Sequence, residues 1–177
     1  MKLSLKMNKI LCFILIVFGI ILDHRTKQIV INNMELYQSL PLWKGVFHFT
    51  YVRNTGAAFS MLSGQRWIFI TISSITILAI LLYIVFTKKA RPIWLYSLAM
   101  IASGGIGNMI ERVKLGYVTD FFDFTLIDFA IFNVADCFVC VGAFLLLLDL
   151  VVDFIKDPTG EKSKKEAESE KQDEASE

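Results

Sequence analysis

The chain has 177 residues, of which 55% are apolar and 20% charged, and its net charge is +1. A soluble domain typically carries about 25% charged residues, and the apolar residues here form long blocks, so the composition indicates a membrane protein rather than an ordinary soluble domain. The near-neutral charge excludes a general basic surface for nucleic acid, and we expect no such partner.

The N-terminal apolar segment is predicted to be the first of four transmembrane helices. Lysines precede the apolar run at residues 10–22, as in a signal peptide. The run ends in Ile20-Ile21-Leu22-Asp23 without an A-x-A-like cleavage site, so we interpret it as a retained span. Its predicted extent, about residues 9–25, is short for a bilayer core, which takes about 20 helical residues.

The loop after the first span contains a predicted strand. In residues 45–52, the aromatic side chains of Phe47, Phe49 and Tyr51 occupy alternate positions, which is typical of an amphipathic strand. Asn54-Thr55-Gly56 follows as a predicted turn. We therefore expect a small β-sheet that lies on the membrane surface.

Three further apolar segments, at about residues 67–87, 93–111 and 133–153, complete the predicted bundle. Basic residues precede the first span and fill the connection at residues 88–91, so the positive-inside rule places both termini in the cytoplasm. The outer loops also contain basic residues, and the even number of spans supports this orientation more than the charges do. We expect one membrane domain at residues 1–155 and a disordered, charged cytoplasmic tail at residues 156–177.

The three cysteines lie in apolar stretches and are interpreted as buried or lipid-facing thiols. Cys137 and Cys140 form a C-x-x-C pattern, which in other proteins serves redox or metal chemistry. Here no second pair and no nearby histidine accompanies it, which argues against those functions.

Polar residues at the ends of several predicted spans fall at one level, the outer surface of the membrane. Such residues are costly at membrane depth and indicate a functional site. They come from the first span, the third span, the following loop and the start of the fourth span: Asp23, Lys27, Asn108, Arg112, Asp120, Asp123, Asp128, Asn133 and Asp136.

Each of these residues also has a simpler interpretation. Asp23 and Lys27 are four residues apart and can form an exposed helix-end ion pair worth a few tenths of a kcal/mol. Asn108 and Arg112 have the same spacing and can mark the interface. Asn133 suits a helix N-cap and Asp136 a partner of the helix dipole, while the loop acids Asp123 and Asp128 suit a solvated loop. Asp149, near the cytoplasmic end of the fourth span, is interpreted as a paired or snorkelling residue.

Two carboxylates give the best account of this cluster as a catalytic site. The two histidines, His24 and His48, have no metal-binding spacing, so we expect no metal and no cofactor. A serine peptidase using Ser60, Ser63 or Ser103 with Lys27 remains open, although none has a well-placed base. Amide hydrolysis by two aspartates that share one proton needs only a base and an acid. Asp136 suits one role, and spacing leaves Asp120, Asp123 and Asp128 open for the other.

Four sequence blocks, in this order and in register with the spans, resemble lipoprotein signal peptidase, also called signal peptidase II. They are Asp23-His-Arg-Thr-Lys27, Arg53-Asn-Thr-Gly-Ala-Ala-Phe-Ser60, Gly104-Gly-Ile-Gly-Asn-Met-Ile-Glu-Arg112 with Gly-Tyr-Val-Thr-Asp120-Phe-Phe-Asp-Phe124, and Phe132-Asn-Val-Ala-Asp136. The chain departs from the family pattern at His24, where Gln is frequent, and at Glu111, where Asp is usual. The second departure leaves the role of Glu111 undefined.

The resemblance implies a membrane all-α bundle of four transmembrane helices with an extracytoplasmic β-cradle and a short surface helix. It implies an aspartic endopeptidase of the bacterial cytoplasmic membrane, a monomer, that cuts prolipoproteins just before a diacylglyceryl-modified cysteine and is blocked by the cyclic peptide globomycin. Its catalytic pair matches Asp120 and Asp136. Positions that support the site match Asp23, Lys27, Asn54, Gly56, Asn108, Arg112, Asn133 and Ala135.

Two other classes of function compete with this prediction. A small transporter or channel subunit can use intramembrane Asp and Asn side chains to bind ions, but this predicts charges near the bilayer midplane on broken helices. A non-catalytic membrane scaffold predicts no sensitivity to Asp→Asn changes at the surface cluster.

Overall fold

The computed structural model describes residues 3–56 and 65–158, which form four long helices and a three-stranded sheet. In chain order these are α1 (Leu5–Asn33), β1 (Ser39–Trp43), β2 (Phe47–Asn54), α2 (Arg66–Phe86), α3 (Pro92–Lys114), β3 (Val118–Asp123), a 3-10 turn (Thr125–Ile127) and α4 (Val134–Lys156). All four helices are long and apolar enough to span a membrane. The predicted fold class of four transmembrane helices with a small sheet is confirmed, and the 3-10 turn is a short helical segment between β3 and α4.

Helix α3 lies at the centre of the bundle and packs against the other three helices. Glycines bring its backbone close to α4: a Cβ at Gly104 would overlap the carbonyl oxygen of Ala135, and one at Gly142 would lie 2.6 Å from the carbonyl oxygen of Ser97. Small residues permit such close packing where lipid offers no hydrophobic driving force between helices. This contact fixes the start of α4, which carries Asp136, against α3.

The helix ends follow from local sequence. The Ser4 hydroxyl caps α1 by accepting the Met7 N–H at 3.2 Å, and Pro92 occupies the first turn of α3, where no N–H bond is lost. At the predicted cytoplasmic end, the Lys9 Nζ donates to the carbonyl oxygens of Val85 (2.7 Å) and Thr87 (2.6 Å), which end α2. A lysine at this position stabilises the helix carbonyls and ties α1 to α2.

Helix α1 extends beyond the predicted first span at both ends. Helix α1 has 29 residues and continues through Asp23 and Lys27 to Asn33, rather than ending near residue 25. Hydropathy falls at these charges, but both side chains are buried and paired, so the helix does not have to end there. The tail at residues 159–177 lies outside the described residues.

The sheet confirms the predicted strand and places β3 at an edge. Its order is β1-β2-β3, with both pairs antiparallel. In the β2–β3 register, Asp120 lies opposite Val52 and Thr119 opposite Arg53. The inner side of the sheet packs on the outer part of α1 through a small core of Val30, Tyr51, Phe121 and Val134. The predicted turn also forms, since the Asn54 Oδ1 accepts the Gly56 N–H at 2.9 Å.

Candidate active site

A cavity of about 650 Å³ opens where α2, α3 and α4 meet the end of the sheet. Its polar lining consists of side chains from five separate segments, and the remainder of the wall is mainly apolar. The polar lining residues include Asn54, Asn108, Arg112, Asp120 and Asp136. The structure therefore brings four of the residues that the sequence predicted at one level to one cavity: Asn108, Arg112, Asp120 and Asp136.

Asp120 lies on β3 and is almost fully buried, with 2% of its surface exposed. Its Oδ1 accepts the Asn133 Nδ2 at 2.6 Å and its Oδ2 accepts the Asn54 Nδ2 at 2.9 Å. Burial, and then the nearby Asp136 carboxylate, raise the pKa of Asp120 to about 7, and the two amide donors and Lys27 oppose that rise. Asp120 can therefore hold a proton near neutral pH, as a catalytic acid requires.

Asp136 lies in the first turn of α4, in a capping box with Asn133. Its Oδ2 accepts the backbone N–H of Asn133 at 3.0 Å, while its own N–H donates to the Asn133 Oδ1 at 3.0 Å. Its Oδ1 accepts the Asn108 Nδ2 at 2.8 Å. Asp136 thus accepts two hydrogen bonds at the start of α4, where the positive end of the helix dipole also lies.

Asn133 joins the two carboxylates because one residue contacts both. Its side-chain Nδ2 donates to Asp120, and its backbone N–H donates to Asp136. The interpretations of Asn133 as an N-cap and of Asp136 as a dipole partner are thus correct in geometry, and the same bonds also build the site.

Lys27 sets the direction of the hydrogen bonds beneath the pair. Its Nζ donates to the Asn108 Oδ1 at 2.9 Å. An ammonium group has no acceptor, so the Asn108 amide must turn its oxygen to Lys27 and its Nδ2 to Asp136. The Asn133 Nδ2 also donates to the Asn108 Oδ1, at 3.1 Å.

Asp23 and Lys27 form a buried ion pair, not the exposed helix-end pair of the simpler interpretation. The Lys27 Nζ lies 2.9 Å from the Asp23 Oδ2, and the two side chains are 1% and 3% exposed. The Asp23 Oδ1 accepts the Ala135 N–H at 3.0 Å, which anchors the first turn of α4 to α1. Removing one partner of a buried ion pair lowers stability by about 3–5 kcal/mol, whereas an exposed helix-end pair contributes only a few tenths of a kcal/mol.

Arg112 supplies a positive charge beside the pair. Its guanidinium donates to the Gly56 carbonyl at 3.1 Å and lies 5.1 Å from the centre of the Phe69 ring. It interacts electrostatically with both Asp120 and Asp136. Gly56 thereby joins the site through its backbone. The residues that follow it, 57–64, lie outside the described residues, as do Ser60 and Ser63.

The structure excludes the other acids from the cavity. Asp123 accepts the Thr50 hydroxyl at 2.6 Å on the sheet, and Asp128 is exposed in a left-handed conformation with φ 48°. Asp149 accepts bonds from Arg91 and Trp94, both at 2.7 Å, which confirms its paired role. Of the three loop aspartates that spacing left open, Asp120 is the one that lines the cavity.

Several site residues were not predicted from the sequence. Glu111 accepts two bonds from Thr119 and lies 3.3 Å from the Lys27 Nζ. Cys137 and Cys140, interpreted as buried or lipid-facing thiols, line the cavity wall. Within residues 3–56 and 65–158, no group of three or more His, Cys, Asp or Glu side chains could hold a metal ion.

Comparison with known proteins places this geometry among membrane peptidases. The family model of signal peptidase (SPase) II matches residues 15–152. The lipoprotein signal peptidase of Brevibacillus brevis is 43% identical over 134 residues, which cover 76% of this chain and 90% of that protein. The lipoprotein signal peptidase of Streptococcus thermophilus is 45% identical over 145 residues, covering 81% and 94%.

A solved structure agrees with the fold. A bacterial membrane enzyme determined by the in meso method at 2.3 Å resolution superposes with a TM-score of 0.76 at 30% identity, covering 85% of this chain and 90% of that one.

Proposed function

The chain belongs to the signal peptidase II family, and we propose that it removes the signal peptide from prolipoproteins as an aspartic endopeptidase. The proposed substrate carries a diacylglyceryl-modified cysteine, and the cut falls just before that residue. The observation that carries this proposal is the bridging of Asp120 and Asp136 by Asn133 at a large cavity.

The two carboxylates are inequivalent, which suits an acid and a base. Asp120 is buried on the strand, and the pKa of Asp120 is raised to about 7, so we assign it the proton. Asp136 accepts bonds from two N–H donors at the start of α4, so we assign it the role of the base. The two carboxyl groups then share one proton in the proposed mechanism.

In the proposed reaction, Asp136 takes a proton from a water molecule whose oxygen bonds to the scissile carbonyl carbon. Asp120 gives its proton to the peptide nitrogen as the carbon–nitrogen bond breaks. The proton ends on Asp136, and its return to Asp120 through solvent restores the pair. Amide hydrolysis requires a base that activates water and an acid that protonates the leaving nitrogen, and the two aspartates supply these roles.

Arg112 and Asn54 are proposed to stabilise charge and position the substrate. Negative charge develops on the carbonyl oxygen as water adds, and a fixed cation in a water-poor cavity stabilises it strongly. Arg112 is held for this by the Gly56 carbonyl and the Phe69 ring. The Asn54 amide holds Asp120 from the sheet side.

The cavity wall is mostly apolar below the pair, with Phe69, Val139 and Val141 among its lining residues. We propose that this part receives the apolar signal segment while the two acyl chains stay in the bilayer. The site then lies at the outer face of the bacterial cytoplasmic membrane, both termini face the cytoplasm, and the enzyme acts as a monomer. We expect globomycin to compete with substrate for the cavity.

The test is cleavage of a diacylglyceryl-modified precursor by the purified protein in liposomes, with a chelator present. Asp120→Asn and Asp136→Asn should reduce turnover by at least about 10³-fold, as loss of an acid or base from a coupled pair does. Asp123→Asn is the matched control, because Asp123 lies three residues from Asp120 but bonds to Thr50 away from the cavity. Near-normal turnover by either variant of the pair would reject the mechanism.

A further inference from the structure

A buried carboxylate outside the catalytic pair is bonded to the residue next to Asp120. The Glu111 Oε2 accepts the backbone N–H of Thr119 at 2.8 Å, and its Oε1 accepts the Thr119 hydroxyl at 2.9 Å. Thr119 is fully buried and Glu111 is 7% exposed. A planar carboxylate thus holds one residue by two charge-assisted bonds, which fixes both position and orientation.

The position of Thr119 in β3 explains how its bonds to Glu111 affect Asp120. Within the sheet, strand β3 pairs with β2, and the N–H groups along its other edge need partners elsewhere. Glu111 satisfies the N–H of Thr119, and the Phe132 carbonyl accepts those of Phe121 (3.0 Å) and Phe122 (2.8 Å). Asp120 therefore lies between two anchored residues.

Lys27 connects this anchor to the other half of the site. Its Nζ lies 3.3 Å from the Glu111 Oε2 and also donates to Asn108, which in turn donates to Asp136. Lys27 thus pairs with the buried Glu111 carboxyl group, which also accepts both bonds from Thr119. One cation thereby sets the groups that hold both aspartates.

We infer that Glu111 is a positioning residue of the reaction: through Thr119 it holds β3 so that the Asp120 carboxylate meets Asn133 and Asn54 beside Asp136. The inference rests on the proposed catalytic role of Asp120. Glu111 touches neither the pair nor the cavity, and its effect on rate is transmitted by the backbone. A displacement of about 1 Å in a catalytic group lowers rate about 100-fold.

Three variants separate this role from mere neutralisation of Lys27. Thr119→Val keeps the Lys27–Glu111 pair and removes one of the two bonds, without changing charge. Glu111→Gln keeps the shape and removes the charge, while Glu111→Asp restores it. Thr50→Val is the matched control, because it is the same change on the adjacent strand, where the hydroxyl bonds to Asp123.

We expect kcat to fall about 10-fold in Thr119→Val and about 100-fold in Glu111→Gln, with KM within about twofold, for folded protein in liposomes with a diacylglyceryl-modified precursor. Glu111→Asp should be faster than Glu111→Gln, and Thr50→Val should match the wild type. The alkaline fall in rate should also move to higher pH in Thr119→Val, since a displaced Asp120 loses the amide donors that favour its ionised form.

The inference is overturned if folded Thr119→Val keeps a wild-type kcat and pH profile, or if only KM changes. Where Glu111→Gln does not fold, Thr119→Val decides. Asp120→Asn in the same series tests the proposed function separately: if it cleaves normally, or if the wild type does not cleave the precursor, the proposed function fails whatever Glu111 does.

Discussion

Replacing Asn133 tests the central bridge of the site, because its side chain does two separable things. Its Oδ1 caps α4 by accepting the Asp136 N–H, and its Nδ2 donates to Asp120 and Asn108. Asn133→Ala removes all three bonds. Asn133→Ser restores the cap, since serine is a good N-cap residue, but its short hydroxyl does not replace the amide donors.

The expected magnitudes follow from these bonds. Loss of the cap costs about 1 kcal/mol, and leaving a buried hydrogen-bonding group without its partner costs about 1–3 kcal/mol. Asn133→Ala should therefore lower the free energy of unfolding by roughly 3–5 kcal/mol, and Asn133→Ser should recover about 1 kcal/mol of this, or about 2–4 °C in melting temperature.

Turnover should behave differently from stability in these two variants. Both should cleave a diacylglyceryl-modified precursor at least about 10-fold more slowly than the wild type, because both leave Asp120 without its 2.6 Å donor. Thermal unfolding and single-turnover cleavage, measured in the same detergent, check the two effects. If Asn133→Ser regains wild-type turnover together with stability, Asn133 acts as a cap only and the reasoning about the bridge is refuted.

Three further predictions follow from the geometry. Because the pKa of Asp120 is raised to about 7 by burial, the native state binds this proton more tightly than the unfolded chain; stability should fall as pH rises from about 4 to 7, and Asp120→Asn should flatten that slope in thermal melts. Lys27→Met leaves buried carboxylates unpaired and should lower stability by about 3–5 kcal/mol in the same assay. Gly104→Ala should abolish the folded state, since its Cβ meets the backbone of Ala135, whereas Gly105→Ala, whose Cβ has only side-chain contacts at 3.3 Å or more, should melt within a few degrees of the wild type.

The four helices and strand β2 were predictable because their signals are local. Apolar blocks of about 20 residues and alternating aromatics specify element type without knowledge of the fold. The end of α1 was not predictable in this way. Its continuation past Asp23 depends on Asn108 and Ala135, which lie more than 80 residues away and stabilise the buried charges.

The choice of Asp120 among three loop aspartates also depends on non-local structure. The β2–β3 register sets Asp120 opposite Val52 and within reach of Asn54. A slip of one residue would turn a phenylalanine to the cavity instead, because successive side chains of a strand alternate in direction. The spacing of residues along the sequence does not specify this register. The assignment of Asp120 came instead from the family resemblance.

Glu111 was overlooked because its neighbours in sequence suggest a different role. Beside Arg112 near the end of a predicted span, it has the pattern of an interfacial charge. Its functional partner is Thr119, an uncharged residue on a strand that the sequence analysis did not predict. The backbone N–H of Thr119 donates to Glu111. A buried N–H of a strand needs such an acceptor, so the role of Glu111 becomes evident only when that strand is known.

The two interpretations of Asn133, a helix cap and a site residue, are one geometry rather than alternatives. Capping occupies its Oδ1 with the Asp136 N–H, and an amide whose oxygen is occupied presents its Nδ2 to the opposite side, where Asp120 lies. The same capping box turns the Asp136 carboxylate back onto the Asn133 N–H. A common local motif at the start of α4 therefore orients both acids, and an N-cap next to an acidic residue at a membrane surface can be a functional feature as well as a structural one.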